Sequence, residues 1–126
     1  MILGIGTDIV SIERFENDRP HQDKLAKKIL TDFELEEYNE LKDSHAIYLA
    51  KKWAVKEAVA KAFGTGIAGP TQWKNMEVRH TGTGQPVVVF YNQLDNHVTT
   101  LNAKCHVSIS DTDDTVVAYS VVEYSV

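Results

Sequence analysis

The chain is 126 residues long with a formal net charge of −5; 43% of its residues are apolar and 25% are charged. This composition is that of a globular protein with a buried core and excludes a disordered or fibrous chain, while the acidic balance excludes a broad nucleic-acid-binding surface. No apolar run is long enough to cross a bilayer, the N-terminus lacks the pattern of a signal peptide, and the lone Cys105 permits no disulfide within the chain. We therefore expect a single cytoplasmic domain over residues 1–126.

The first half of the chain predicts one strand followed by helices. Apolar residues alternate from Ile2 to Val10, which indicates a strand. Thr31 and Glu34 have the spacing of a capping box, so a helix is expected to begin there. Helices are predicted at residues 11–18, 22–30, 31–41 and 44–63, the last of which ends before Gly64, Gly66 and Gly69-Pro70.

The second half is dominated by strand patterns. Strands are predicted at residues 73–80, 86–91, 106–110 and 115–123, with a turn at 81–84 and a short helix at 93–102. The last two strands are expected to form a hairpin. Helices early and strands late, around a first strand that needs partners, predict an α+β fold in which a mostly antiparallel sheet packs against a long central helix.

Charged residues are distributed unevenly along the chain. The lysines gather in two groups, which are Lys24, Lys27 and Lys28, and then Lys51, Lys52, Lys56 and Lys61. The C-terminal third is acidic, with Asp111, Asp113 and Asp114 close together. Basic patches on an acidic protein favour a specific anionic partner, and the alternative is that these lysines form ordinary solvated helix faces.

The first strand carries a candidate functional carboxylate. Alternation places Gly4, Gly6 and Asp8 on one face of this strand. Two glycines on one face allow another element to approach the backbone closely, and Asp8 stands at the end of this bare strip. The alternative is that Asp8 is a turn residue or caps the helix that follows.

A second candidate carboxylate lies on the long helix. Glu57 shares its sector of the helical wheel mainly with Trp53 and alanines, so it does not fall on a solvent face. A carboxylate in such a place needs a partner. An ion pair with Lys61, four residues further on, is one explanation, and a metal ion is the other.

Close packing of the strand on the helix would bring these two carboxylates to one point. The small helix residues expected to face the glycines are Ala50, Ala54 and Ala60. Two carboxylates that leave positions open for water and phosphate oxygens are typical of a magnesium site. Lys61 precedes the glycine-rich stretch and is suited to neutralising a pyrophosphate or its leaving group. The alternative for Gly64 is that it simply caps the C-terminus of the helix.

Two segments resemble the signatures of one enzyme family. Residues 4–10, GIGTDIV, followed by Glu13 and Arg14, resemble the N-terminal signature of the holo-acyl-carrier-protein synthases, a bacterial phosphopantetheinyl transferase family. Residues 53–58, WAVKEA, and 61–67, KAFGTGI, resemble its second signature. Residues 84–86, GQP, and 106–110, HVSIS, resemble two further segments, so the resemblance covers nearly the whole chain.

The resemblance implies a fold, an assembly and a set of site residues. The family has a 4′-phosphopantetheinyl transferase-like α+β fold and usually forms trimers with active sites between neighbouring subunits. Asp8 and Glu57 would bind Mg²⁺, and Glu57 and Lys61 would be the catalytic residues. Coenzyme A would contact Lys61, Gly64, Gly66, Pro86 and His45. Acyl carrier protein, which is acidic, would contact Arg14 and Lys28.

The implied reaction transfers the 4′-phosphopantetheine group from coenzyme A to a serine of apo acyl carrier protein. The products would be holo acyl carrier protein and adenosine 3′,5′-bisphosphate, in support of fatty acid biosynthesis. Glu57, or a water on the metal, is the candidate base for the serine hydroxyl. One departure from the family is Asp111, because many members carry a histidine after the Ser-Ile-Ser segment.

Two other classes of function stay open. One is a magnesium-dependent hydrolase of a nucleotide pyrophosphate, which would use the same acidic pair but transfer to water. The other is a non-enzymatic module that binds a carrier protein through Arg14 and the lysines. The presence of Asp8, Glu57 and Lys61 argues against a module that has lost its catalytic residues.

Overall fold

The structure is a computed structural model that describes residues 1–125. Its helices are α1 (Arg19–Ile29), α2 (Asp32–Glu40), α3 (His45–Ala62) and α4 (Asn92–Leu101). Its strands are β1 (Ile2–Ser11), β2 (Met76–His80), β3 (Pro86–Phe90), β4 (Ala103–Asp111) and β5 (Thr115–Tyr124). Three 3₁₀ turns lie at Ile12–Phe15, Gly69–Thr71 and Trp73–Asn75. Among the described residues, no helix is both long and apolar enough to span a membrane.

Every strand pairing in the described part of the chain is antiparallel. β5 lies between β1 and β4 in a three-stranded sheet, and β2 and β3 form a separate two-stranded sheet. β4 and β5 are the predicted hairpin, and β1 joins it with Asp8 opposite Ala118. The predicted α+β class with antiparallel strands is confirmed.

The core lies where α3 packs against the inner face of the three-stranded sheet. The residues of α3 that are fully buried in this core are Leu49, Ala50, Ala54, Val55, Ala58 and Val59. Alternate residues of β5, namely Val116, Ala118 and Val122, bury against the helix from the other side. The many alanines favour the helix and keep its surface narrow, so the sheet lies close to it.

Some element boundaries differ from those predicted. The expected helix over residues 11–18 is wrong, because only the 3₁₀ turn Ile12–Phe15 forms there. Arg19-Pro20 opens α1 instead of ending a previous helix, since a proline lacks only an N–H that the first turn leaves unpaired. The 3₁₀ turn Trp73–Asn75 delays β2 until Met76. The capping box at α2 forms as predicted between Thr31 and Glu34.

Candidate functional site

β1 and α3 meet backbone to backbone at two glycines. A Cβ atom added at Gly4 would lie 2.0 Å from the carbonyl oxygen of Ala62, and one added at Gly6 would lie 1.9 Å from that of Ala58. No residue larger than glycine fits either position without a shift of the backbone. The close approach agrees with the sequence analysis, but the nearest atoms belong to the last turns of α3. They replace the predicted partners, which were Ala50, Ala54 and Ala60.

This contact brings Asp8 beside the C-terminal half of α3. Lys61 Nζ lies 3.3 Å from Asp8 Oδ1 and donates a hydrogen bond to the carbonyl oxygen of Thr7 at 2.9 Å. Glu57, one turn before Lys61, is close enough for the charge of Asp8 to act on it. Lys61 therefore pairs with Asp8, and the simple helix ion pair considered for Glu57 is not found among the described residues.

The two carboxyl groups lie in an environment that disfavours their negative charge. Burial raises the pKa of Asp8 above its ordinary value of 3.8, and the hydrogen bond and charge of Lys61 oppose this rise. Burial also raises the pKa of Glu57 above 4.5, and the negative charge of Asp8 raises it further. Both groups are therefore stabilised in their charged form by any additional cation placed between them.

The carboxylate pair also has the chemistry to bind a metal ion. Asp8 Oδ2 is buried and has no hydrogen-bond partner in the described part of the chain. A buried carboxylate oxygen without a donor is unfavourable, and a bound cation removes this penalty. Mg²⁺ fits such a pair because it takes only one or two protein carboxylates and keeps its other positions for water and phosphate oxygens. Residues 1–125 contain no group of three or more His, Cys, Asp or Glu arranged as a closed metal cage.

A glycine-rich loop of residues 64–68 follows Lys61 directly. Gly64 and Gly66 have positive φ angles of 81° and 65°, and the space where a Cβ would lie is open at both. Their amides end α3, since Gly64 N donates to the Lys61 carbonyl at 2.9 Å and Gly66 N donates to the Ala60 carbonyl at 3.2 Å. Gly64 and Gly66 therefore end the helix and also leave their backbone open. A ligand that contacts Lys61 would lie next to this loop.

Arg14 lies at the rim of the acidic pair. It is exposed on the 3₁₀ turn after β1, and its guanidinium carbon lies 4.7 Å from the centre of a Trp53 ring. Although burial has the larger effect on both carboxyl groups, the positive charge of Arg14 lowers the pKa of Asp8 and of Glu57. Arg14, which is predicted to contact a carrier protein, therefore lies next to the candidate catalytic carboxylates.

The remaining predicted site residues lie elsewhere on the chain. His45 opens α3 twelve residues before Glu57, and therefore about 18 Å away along the helix axis. Its ring is buried against Tyr38, and its Nε2 has no hydrogen-bond partner in the described residues. Its contact with coenzyme A stays a prediction. Pro86 begins β3, and Lys28 lies on the exposed face of α1.

A cavity of about 270 Å³ between α2, α3, β2 and β4 was not anticipated from the sequence. Lys51 and Lys52 line it together with apolar residues. Lys51 Nζ lies 3.8 Å from Asp111 Oδ1, so this carboxylate pairs with a lysine. The spacing of the lysines does not predict this cavity, because the strands that cover Lys52 come much later in the chain.

Comparisons with known proteins agree with this geometry. Residues 4–120 match the family model described as the 4'-phosphopantetheinyl transferase superfamily. The holo-[acyl-carrier-protein] synthase of Dechloromonas aromatica (strain RCB) is 37% identical over 126 residues, which cover 99% of this chain and 100% of that protein.

Solved structures give the same assignment. The crystal structure of a holo-[acyl-carrier-protein] synthase from Neisseria meningitidis superposes with a TM-score of 0.89 at 38% identity, over 98% of this chain and 99% of that one. A holo-(acyl-carrier-protein) synthase from Bacillus anthracis str. Ames in complex with CoA (3',5'-ADP) superposes with a TM-score of 0.83 at 34% identity, over 99% of both chains. The chain belongs to the 4′-phosphopantetheinyl transferase superfamily.

Proposed function

We propose that this chain is a holo-acyl-carrier-protein synthase. It transfers the 4′-phosphopantetheine group of coenzyme A to a serine of apo acyl carrier protein and releases adenosine 3′,5′-bisphosphate, in support of fatty acid biosynthesis. The observation that carries the proposal is the meeting of Asp8, Glu57 and Lys61 where β1 crosses α3, in a chain of this family. The names of the full-length relatives support it, as does the bound CoA (3',5'-ADP) of the Bacillus anthracis enzyme.

The proposal includes a magnesium ion held by Asp8 and Glu57. The unpartnered Asp8 Oδ2 and the raised pKa of both carboxyl groups support this assignment. When bound, Mg²⁺ supplies positive charge to the pyrophosphate of coenzyme A and orients it. A carboxylate pair also suits Mn²⁺, so the test of metal dependence compares the two ions.

The side chains of the site bind charge and accept a proton. Lys61 pairs with Asp8 and still has 49% of its side chain accessible, so it can contact phosphate oxygens and stabilise the leaving group. The carrier-protein serine loses its proton as it attacks the β-phosphorus, and the bond from that phosphorus to the bridging oxygen of the leaving adenosine 3′,5′-bisphosphate breaks. The Glu57 carboxylate, or a water on the metal, is the candidate base. Gly64 and Gly66 leave open space beside Lys61 for the nucleotide.

The carrier protein is proposed to dock on the side where Arg14 stands. Arg14 is exposed at the rim of the site, and α1 adds an exposed basic surface. The members of that surface are His21, Lys24, Lys27 and Lys28. We propose that Arg14 and Lys28 contact the acidic carrier protein, because opposite charges on the two surfaces speed association and fix orientation.

The proposal also includes a homotrimer. The outer face of the three-stranded sheet exposes large apolar side chains, with Ile5 60% exposed and Ile9 69% exposed. The strand register sets Val121 opposite Ile5 and Val117 opposite Ile9, so these apolar residues lie on one face of the β1–β5 pair, with Thr7 and Tyr119 between them. Surfaces of this kind mark interfaces. In such an assembly Pro86, which is far from Asp8 along its own chain, reaches coenzyme A bound at a neighbouring subunit.

We further propose that residues 1–126 form one transferase domain that works in the cytoplasm. The family model matches one continuous stretch of the chain, residues 4–120. The only cysteine, Cys105, is free, which agrees with a reducing compartment.

Glu57→Gln tests the metal and catalytic assignment. The amide keeps the size of the side chain but lacks the charge that binds a cation and accepts a proton. We expect transfer to fall by at least about 100-fold and the stabilising effect of Mg²⁺ on thermal unfolding to disappear, while the circular dichroism spectrum stays unchanged. Glu36→Gln, at an exposed glutamate of α2, is the matched control. Transfer at the normal rate in Glu57→Gln would overturn the assignment.

The two alternative functions predict different fates for coenzyme A. A transferase consumes coenzyme A only when apo carrier protein is present. A hydrolase consumes it without carrier protein, and a binding module leaves it intact while still binding the carrier without metal. Chromatographic measurement of coenzyme A with and without carrier protein separates these three outcomes.

A further inference from the structure

Thr71 is a buried polar residue that holds together the loop after Lys61. It is 1% exposed, and its hydroxyl oxygen lies 2.6 Å from the carbonyl oxygen of Gly66 and 2.7 Å from that of Ala68. It also hydrogen-bonds to the hydroxyl of Thr65, which lies 2.9 Å from the same Gly66 carbonyl. The two threonines therefore form a small polar network that ties the loop of residues 64–68 to Thr71, in the 3₁₀ turn that follows it.

This network satisfies a backbone group that has no backbone partner. In the described part of the chain, the Gly66 carbonyl accepts hydrogen bonds only from the hydroxyls of Thr65 and Thr71. Each hydroxyl has one proton, so Thr65 and Thr71 together supply two donors for the Gly66 and Ala68 carbonyls and for the contact between the two hydroxyls. Removal of the Thr71 hydroxyl leaves these carbonyls with one donor fewer.

Packing orders this loop at Ile67, which lies against the hydrophobic core, but not at its glycines. Gly64, Gly66 and Gly69 have φ angles of 81°, 65° and 53°, and a Cβ at any of them would meet no atom within 4 Å. Glycines without side-chain contacts have many accessible conformations, so the hydrogen bonds must select one of them. Thr71 is the buried residue whose hydrogen bonds favour the observed loop conformation.

We propose that Thr71 is a positioning residue for coenzyme A, which presets the loop of residues 64–68 in the shape that receives the nucleotide half of the substrate. The inference rests on the proposed function. Thr71 is buried and acts through the Gly66 and Ala68 backbone. The side chains of the proposed chemistry are held by β1 and α3 and do not depend on this loop. Loss of the hydroxyl is therefore expected to weaken coenzyme A binding and to leave the chemical step intact.

The test compares Thr71→Val with Thr71→Ser. Valine keeps the shape and removes the hydroxyl, whereas serine keeps the hydroxyl. Thr83→Val is the matched control, because Thr83 lies in an exposed turn and its hydroxyl contacts only that of Thr81. The readouts are kcat, the KM values for coenzyme A and for apo carrier protein, the calorimetric Kd for coenzyme A alone, and the Tm.

Thr71→Val is expected to raise the KM and the Kd for coenzyme A by about tenfold, with kcat and the carrier-protein KM within about twofold of the original protein. Thr71→Ser and Thr83→Val are expected to behave as the original protein does. An unchanged Kd and KM for coenzyme A in Thr71→Val overturns the proposal, as does a loss confined to kcat and Tm.

The calorimetric Kd for coenzyme A tests the role of Thr71 independently of the proposed transfer reaction. If the original protein makes no holo carrier protein, the proposed function fails, and the Kd for coenzyme A decides on Thr71 alone. Weaker binding by Thr71→Val then supports the positioning role. Equal binding, or no binding by the original protein, overturns it.

Discussion

Lys52 and Lys56 lie one turn apart on α3, and both side chains are buried, yet their surroundings differ. Lys56 Nζ lies 2.6 Å from Glu34 Oε1, 2.6 Å from the Ile29 carbonyl and 3.0 Å from the Trp73 carbonyl, so all its donors are used. Lys52 Nζ has one long hydrogen bond, 3.4 Å to the Val78 carbonyl, and no carboxylate within ion-pair distance in the described residues. The two lysines should therefore respond in opposite ways to the same substitution.

Lys56→Met is expected to destabilise the protein by about 3–5 kcal/mol, because it leaves the fully buried Glu34 carboxylate without its cation. Urea unfolding measures the change. Adding Glu34→Leu to this variant removes the stranded charge and is expected to recover part of the loss. A Lys56→Met protein as stable as the original would show that the ion pair does not hold α2 against α3.

Lys52→Met is expected to stabilise the protein at neutral pH. Burial lowers the pKa of Lys52 below its ordinary value of 10.5, so the folded protein binds this proton less tightly than the unfolded chain does. The penalty is complete below the folded-state pKa and disappears as the pH rises toward 10.5. The stability gained by Lys52→Met, measured by urea unfolding against pH, should therefore shrink over that range. A gain that does not change with pH would contradict this explanation.

The contact of β1 with α3 is the structural element that positions the site. Gly6→Ala places a Cβ 1.9 Å from the Ala58 carbonyl oxygen, so strand and helix must separate and carry Asp8 away from Glu57. We expect a loss of about 3 kcal/mol or more in stability together with a loss of transfer in the fraction that still folds. Gly82→Ala is the control, because its Cβ meets no atom within 4 Å. Equal behaviour of the two variants in unfolding and transfer assays would contradict the close contact.

The sequence predicts much of this element-level arrangement because its signals are local. The capping box at Thr31 and Glu34, the long helix up to the glycines, and the β4–β5 hairpin all follow from spacing within one segment. The two glycines of β1 predict a close approach, but not that Ala58 and Ala62 meet them. Which helix residues meet the glycines depends on where β1 crosses α3, and no local sequence pattern predicts this crossing point.

The features missed by sequence analysis depend on residues far apart in the chain. Glu34 is recognisable as a capping residue, but its burial requires Lys56 from α3 and the amide of Val78 from β2. The anchoring role of Thr71 depends on the path of the loop before it. α1 begins at Arg19, three residues before the predicted start at residue 22, because a proline also fits the first turn of a helix.

At the scale of the whole molecule, the outer face of the three-stranded sheet should decide the assembly. Ile5→Lys places a charge on this apolar face, where Ile5 is 60% exposed in one chain. We expect the trimer, with three times the 14.1 kDa mass of one chain, to give way to monomers, with loss of transfer. Light scattering after size-exclusion chromatography measures the mass. Phe33→Lys, at an apolar residue of α2 that is 38% exposed, is the control, and a monomeric original protein would contradict the proposed assembly.

Magnesium-dependent transfer to a carrier protein is the central claim. Intact-mass spectrometry of apo acyl carrier protein tests it most directly, after incubation with this protein, coenzyme A and Mg²⁺, with and without chelator. The account predicts that the carrier protein gains the mass of one phosphopantetheine and that chelator abolishes the gain. No gain, in a sample where the protein is folded and binds Mg²⁺, would contradict the account.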